Sequence, residues 1–233
     1  MTDRDPFGAV SEQPLSRIRQ IAGQRLHAAW TQIPHVTHHE EADITSLDAR
    51  RRADAAAGRR PSLLGYIARA TAVTLRRHPC FNASLSPDGR SLVLKQYVRL
   101  GVAIETPQGL LVGVVADADR CDAVELALRI DDLAKRGRTG RLTPQDMEGA
   151  SFTITNLGTN GGTGFTPIIN PPNVAILGLC QARLRPSCVG EAIVPRLLLP
   201  LSLSYDHRAI DGAEAARFLV DLRNALQQEG ETT

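Results

Sequence analysis

The sequence predicts a mixed α/β domain, a large mixed sheet flanked by helices, and three observations lead there. Strand-like segments outnumber helical ones, most strands are separated by hairpins or irregular segments, and no regular strand-helix-strand succession, repeat or long linker divides the chain. At 233 residues, 42% of them hydrophobic, the chain can bury one sizeable core.

The first eleven residues are polar and read as an arm, so the folded domain is expected over 14 to 228, with 1 to 13 as the arm and 229 to 233 as a polar tail. From Pro14, the residues Leu15, Ile18, Ala22, Leu26 and Ala29 recur at helical spacing, and this helix should end before Thr31 to Pro34. Val36 to Ile44 mixes polar and apolar residues as a half-buried strand does. An alanine-rich helix over about 45 to 57 stops at Gly58. Pro61 opens a third helix, whose apolar positions Leu64, Ile67, Ala68, Ala72 and Leu75 form a broad face; it ends near His78-Pro79, because proline drives its predecessor out of the helical region.

Ser91 to Leu94, Val98 to Glu105 and Leu110 to Val115 are β-prone, and Thr106-Pro107-Gln108-Gly109 reads as a hairpin turn. Asp122 and Glu125 have the spacing of a capping box, which starts a helix of about 15 residues running to about Gly137. Thr143-Pro144 introduces a short turn. Three strands should follow near 151 to 155, 173 to 180 and 192 to 205, then a last helix over about 212 to 228.

Composition excludes several functions. A net charge of +2 supplies no field for nucleic acid, and Arg50-Arg51-Arg52 and Arg59-Arg60 read as a solvated helix face and its adjoining turn. Cys80, Cys121, Cys180 and Cys188 lack zinc-ribbon or CxxC spacing and fit unpaired thiols in a reducing cytoplasm. No signal peptide and no membrane-length apolar run is visible, so a soluble cytoplasmic protein is expected. His35, His38 and His39 lack the HExxH spacing, and His38 and His39 would point to opposite sides of a strand, so no metal is expected. There is no GxSxG elbow, and although the sequence leaves a cysteine nucleophile open, Cys180 and Cys188 have no motif around them.

Chemistry concentrates in His207-Arg208-Ala209-Ile210-Asp211-Gly212, where a strand gives way to a helix. A neutral imidazole there can take a proton near pH 7 while the strand end holds it at a cleft. Asp211 and Glu214 have capping-box spacing for the last helix, a structural role that also fixes the helix against the histidine loop. Ser204 is the serine nearest to His207. Thr153 to Gly158 reads as a strand entering a turn, and Asn160 to Gly164 prolongs it with glycines that permit close backbone approach or form a flexible hairpin; neither a Walker lysine nor a dinucleotide fingerprint is present. Asn170-Pro171-Pro172-Asn173 makes a stiff wall or a plain turn.

Taken together these motifs resemble one family, the catalytic domain of the dihydrolipoamide acyltransferases of 2-oxo acid dehydrogenase complexes, which are relatives of chloramphenicol acetyltransferase. The resemblance spans about Pro14 to Leu226, with pyruvate-type flavour. It rests on Pro14 to Arg19, Ile33 to Thr37, Phe152 to Gly158, Gly162 to Asn170 and Leu201 to Gly212. It implies a chloramphenicol acetyltransferase-like two-layer sandwich and a homotrimer with active sites between subunits, which coenzyme A and a dihydrolipoyl arm enter from opposite ends.

By the same resemblance His207 is the general base on a thiol, and the hydroxyl that stabilises the oxyanion corresponds to Thr155, where serine is expected in close relatives. Asp211 completes the catalytic set. Substrate contacts fall on Asn156, Gly158, Gly162, Thr163, Phe165 and Asn170, and on Ser204 and Arg208 beside the histidine. Coenzyme A enters as a substrate, the lipoyl group is carried by a partner domain or an upstream domain, and no metal takes part. The resemblance admits the decarboxylase and dihydrolipoamide dehydrogenase components as further partners. The implied activity is transfer of an acyl group, acetyl foremost, between a dihydrolipoyl thiol and coenzyme A. A non-catalytic core scaffold is the alternative from another class, and an intact His207 with a hydroxyl at Thr155 argues against it. An acyltransferase using another carrier or a small-molecule acceptor is the third. A condensation domain is disfavoured because Asp206, not a second histidine, precedes His207.

Three departures from the family stand out. The chain begins just before the catalytic region, as either the core of a longer protein or a naturally short acyltransferase. After Leu226 no apolar side chain follows, which predicts isolated trimers rather than a larger shell. Gly113 and Ala116 stand where a proline and a basic residue are usual.

Overall fold

A computed structural model describes residues 4–5, 7–59, 61–107 and 109–231. Part of the expected arm, Arg60 of the arginine pair, Gln108 of the hairpin turn, and Thr232 and Thr233 of the tail lie outside the described residues.

Two short paired strands, β1 (Arg4–Asp5) and β2 (Gly8–Ala9), precede helix α1 (Arg17–Gln32). The helix starts at Arg17 rather than at Pro14 because the Ser16 hydroxyl accepts the Arg19 N–H and sets the N-cap there. Strand β3 (His35–Asp43) leads to α2 (Thr45–Ala56), and α3 (Leu63–Arg77) is capped by Ser62. A small ribbon of β4 (Ala83–Leu85) and β5 (Leu92–Leu94) follows, then the hairpin β6 (Leu100–Thr106) and β7 (Gly109–Val115). Asp122 accepts the Glu125 N–H at 2.7 Å and starts α4 (Ala123–Arg138). The C-terminal third holds β8 (Phe152–Asn156), β9 (Ala175–Leu179), β10 (Arg183–Val189), β11 (Ala192–Asp206) and α5 (Gly212–Glu231).

Seven strands make the main sheet in the order β10-β11-β9-β8-β6-β7, with β3 also paired to β11. Strand β8 is parallel to both β6 and β9, and the other pairs are antiparallel. That corrects the flexible-hairpin reading of residues 156 to 164, since parallel neighbours require the chain to travel back along the sheet before it can pair again. Four strands go beyond the sequence expectation: β1 and β2 pair within the segment expected as an arm, β4 is three residues long, and β10 carries Pro186 and runs exposed along most of its length. Helix α5 continues to Glu231, past its expected end, because Arg50 from α2 donates to the Glu229 carbonyl at 2.5 Å, satisfying a group the helix end leaves open.

Helices α2 to α5 pack on one face of the sheet. Leu199, Leu201, Leu203 and Tyr205 of β11 join the main core with Tyr66 and Leu75 of α3, Leu126 of α4 and Phe218 of α5. Phe218 stacks on Phe81 at 4.3 Å between ring centres. The alternate residues Ser202 and Ser204 turn to the opposite face, as strand geometry requires. They are nonetheless fully buried, because the return segment between β8 and β9 lies over them together with the end of α1. A second, smaller cluster of Ala29, Ile33, Ile169 and Ile176 forms there.

Candidate active site

His207 is the first residue beyond β11, and it is exposed. Its N–H donates to the Pro34 carbonyl at 3.1 Å, fastening it to the residue just before β3. The turn that follows closes on Asp206, which is 2% exposed; its carboxylate accepts the Arg208 N–H at 3.0 Å and the guanidinium at 2.6 to 3.2 Å. This hydrogen-bonded pairing raises the Arg208 pKa, so Arg208 stays a cation with its fork turned inward on Asp206. Among the described residues no hydrogen bond engages the His207 ring, whose nearest aromatic neighbour is Tyr205 at 5.9 Å between ring centres. The backbone is therefore fixed and the imidazole is available, which suits a base that must meet an incoming thiol.

Asp211 acts as the cap that its spacing predicts. Its carboxylate accepts the Glu214 N–H at 2.7 Å and Glu214 accepts the Asp211 N–H at 3.1 Å, a reciprocal capping box that sets the start of α5. Tyr205 lies beneath this corner, its phenol pushed up by burial and then by the charge of Asp211.

Thr155 lies on β8, half-buried, and its hydroxyl has no hydrogen-bond partner among the described residues. Register places it in a row across the sheet: Thr155 opposite Gly178, Gly178 opposite Ser202, and Ser202 opposite His39. Directly opposed residues share a face, so all four look away from the helix layer. Gly178 is required there, because a Cβ would sit 2.6 Å from Cζ of Phe165, whose ring covers the row between Thr155 and Ser202. Ser202 accepts the Phe165 N–H at 3.3 Å and bonds Nδ1 of His39 at 3.0 Å.

His207 stands five residues beyond Ser202 on β11, and Thr155 two strands to the side, a separation of about 17 Å along the strands and about 10 Å across. Within one chain the imidazole and the hydroxyl do not meet. Hollows of about 410 and 450 Å³ lie elsewhere, one beside α4 and the other at Cys80 and Arg217, and neither touches His207 or Thr155.

The remaining expected contacts divide. Asn156 accepts the Gly158 N–H at 2.8 Å and so shapes the turn after β8, with Gly158, Gly161 and Gly162 at positive φ. Gly162 and Thr163 are exposed at the start of the return segment, Phe165 covers Gly178, and Asn170 closes a turn by accepting the Asn173 N–H at 3.0 Å. Ser204 differs from the expectation: it is fully buried and shares a 2.8 Å hydrogen bond with Thr37, so it ties β11 to β3 instead of facing a ligand.

The sequence offers His35 only as a metal-ligand candidate without the spacing of a metal site. In the structure both of its nitrogens are occupied, Nδ1 with the Ile33 carbonyl at 2.9 Å and Nε2 with the Ile169 N–H at 3.0 Å. A backbone N–H can only donate, so Nε2 accepts and Nδ1 carries the proton: the ring is the neutral Nδ1–H tautomer. Its place in the Ile33 to Thr37 motif was the available signal; its partner 134 residues away was not legible.

The model of the 2-oxoacid dehydrogenases acyltransferase (catalytic domain) matches residues 7–232. The dihydrolipoyllysine-residue acetyltransferase component of the pyruvate dehydrogenase complex of Cupriavidus necator is 50% identical over 94% of the chain and 41% of its own length. That of Pseudomonas aeruginosa is 46% identical over 96% of the chain and 43% of its own length. The chain thus spans about two fifths of the length of these relatives. A solved structure of Azotobacter vinelandii dihydrolipoamide acetyltransferase superposes with a TM-score of 0.92 at 46% identity, covering 95% of this chain and 93% of that one. Chloramphenicol acetyltransferase, 18% identical with a TM-score of 0.57 over 87% of this chain and 94% of its own, shares the fold.

Proposed function

The chain belongs to the 2-oxoacid dehydrogenase acyltransferase family, matching its catalytic domain, and from that premise we propose that residues 14 to 228 form a domain that moves an acyl group, acetyl foremost, between a dihydrolipoyl thiol and coenzyme A. The observation that carries this is the unengaged His207 imidazole on a fixed backbone, together with the free hydroxyl of Thr155 on the same sheet. In the Azotobacter enzyme a serine, a histidine and an asparagine, spaced by 52 and 4 residues, were investigated for roles in the catalytic mechanism. The same intervals counted from His207 reach Thr155 and Asp211. The hydroxyl survives as threonine, with a methyl that narrows its rotamers, and the side-chain acceptor survives as a carboxylate.

The imidazole of His207 takes the proton of the attacking thiol, whose free pKa near 8.5 makes that transfer feasible. The thiolate adds to the thioester carbonyl, and the Thr155 hydroxyl donates to the resulting oxyanion. Collapse expels the second thiolate, which recovers the proton from His207. Because one chain holds these two groups too far apart to serve one carbonyl, the site is completed by the neighbouring copy in a homotrimer. The lipoyl arm belongs to a partner or upstream domain, and the decarboxylase and dihydrolipoamide dehydrogenase components complete the assembly. Four free cysteines fit the reducing cytoplasm, and among the described residues no helix is long and apolar enough to cross a membrane.

The test is transfer from a panel of acyl-coenzyme A donors to free dihydrolipoamide. The wild type should be active and His207→Ala should lose at least about a hundredfold in kcat. Full activity of that variant in an intact assembly would remove the assignment.

A further inference from the structure

The segment between β8 and β9 crosses the open face of the sheet from the Thr155 end to the His207 end, and it is pinned at both ends. Near Thr155 the pin is Ser202, which accepts the Phe165 N–H. Near His207 it is His35. The Nε2 of His35 accepts the N–H of Ile169, a fully buried residue just before Asn170 and the two prolines. Its Nδ1–H donates to Ile33, and the Trp30 ring lies 5.1 Å from its own. Its backbone pairs with Asp206, and the residue before it, Pro34, receives the His207 N–H. One side chain therefore joins the strand end that carries His207 to the stiff segment beside it.

We propose that His35 is a positioning residue for His207, acting through the hydrogen bond from Ile169 to Nε2. This rests on the acyltransferase reading. The imidazole of His207 is held by no side chain among the described residues, so its place depends on the backbone that carries it and on the wall beside it. His35 sets both. Placement of a base within a fraction of an ångström governs the chemical step far more than it governs capture of substrate, so loss of the anchor should lower kcat and leave KM nearly unchanged.

Two substitutions separate this role from general support of the fold. His35→Gln puts an amide where Nε2 was and keeps an acceptor for Ile169, whereas His35→Asn puts its amide where Nδ1 was and keeps only the bond to Ile33. The Asn variant should lose about 10- to 100-fold in kcat, with KM within about threefold, and the Gln variant should recover to within about threefold of wild type. Hydrogen exchange at the Ile169 amide should quicken in the Asn variant only, and far-UV circular dichroism with a thermal melt verifies that each variant is folded. Equal kcat in all three proteins would overturn the proposal, and so would an equal fall in both variants, because the bond to Ile169 would then not be the operative one. The acyltransferase reading fails separately, through His207→Ala, and in that event exchange at Ile169 alone still decides whether the anchor exists.

Discussion

Mixing two disabled variants, His207→Ala and Thr155→Val, should restore activity that neither has alone. Register separates the two groups by about 17 Å along the strands and about 10 Å across, about 20 Å in all, whereas an oxyanion donor must lie within about 3 Å of its target. If each site takes His207 from one subunit and Thr155 from the next, a site is intact only where a Thr155→Val chain supplies the histidine and a His207→Ala chain supplies the hydroxyl. In a ring of three formed from equal amounts that combination occurs at about one site in four. Loss of the base, or of one oxyanion donor, should leave each parent near 1% of wild type or below. Co-refolded mixtures should therefore reach about a quarter of wild-type turnover, more than tenfold above either parent. Chromatographic detection of S-acyl dihydrolipoamide measures the rate, and native mass spectrometry verifies that the variants share assemblies. A verified mixture no more active than the mean of its parents would refute the split site.

Other expectations follow from individual contacts. Gly178→Ala puts a methyl 2.6 Å from Phe165, so it should destabilise by about 1 to 3 kcal/mol in denaturant titration and lower kcat/KM by displacing that ring; an unchanged midpoint would mean that the ring moves freely. Asp211→Ala removes the acceptor of the Glu214 N–H and should cost about 1 kcal/mol, or about 2 to 4 °C in Tm, while Asp211→Asn retains the cap and most of the stability. A Tm equal to wild type in the Ala variant would show that the cap contributes nothing. Asp146 is held at about 2 by the Arg136 guanidinium and then by Thr143. With its folded pKa below the unfolded value of 3.8, it stabilises above about pH 4, and that contribution disappears as the pH falls toward 2. Asp146→Asn should flatten the fall in stability across that window, and an identical acid profile would count against the pairing.

Local signals were legible wherever a short-range rule decides the outcome. The Asp122 and Asp211 caps and the apolar face of α3 all involve partners a few residues away, so spacing alone locates them. Strand β4 was missed because a three-residue strand paired with another of equal length leaves too short a pattern to separate from a loop. Strand β10 escaped because Pro186 and its exposed residues obscure the alternation that burial usually imposes. His207 and Thr155 were found as residue types in motifs, but their separation is a product of register across β9, which no local window contains. Ser204 was misassigned for the same reason: its partner Thr37 is 167 residues away.

The parallel pairing of β8 and β9 also bears on engineering this chain. A hairpin can be trimmed to two residues, whereas a return between parallel neighbours must span the strand length of about 17 Å, so a shortened link would simply fail to reach. The positive-φ glycines Gly161 and Gly162 are the slack in that tether, and the pinned stretch from Phe165 to Ile169 is its taut part. Reporter peptides belong in the slack, where extra length adds only a small closure entropy. Deletions there would draw the taut part off its pins.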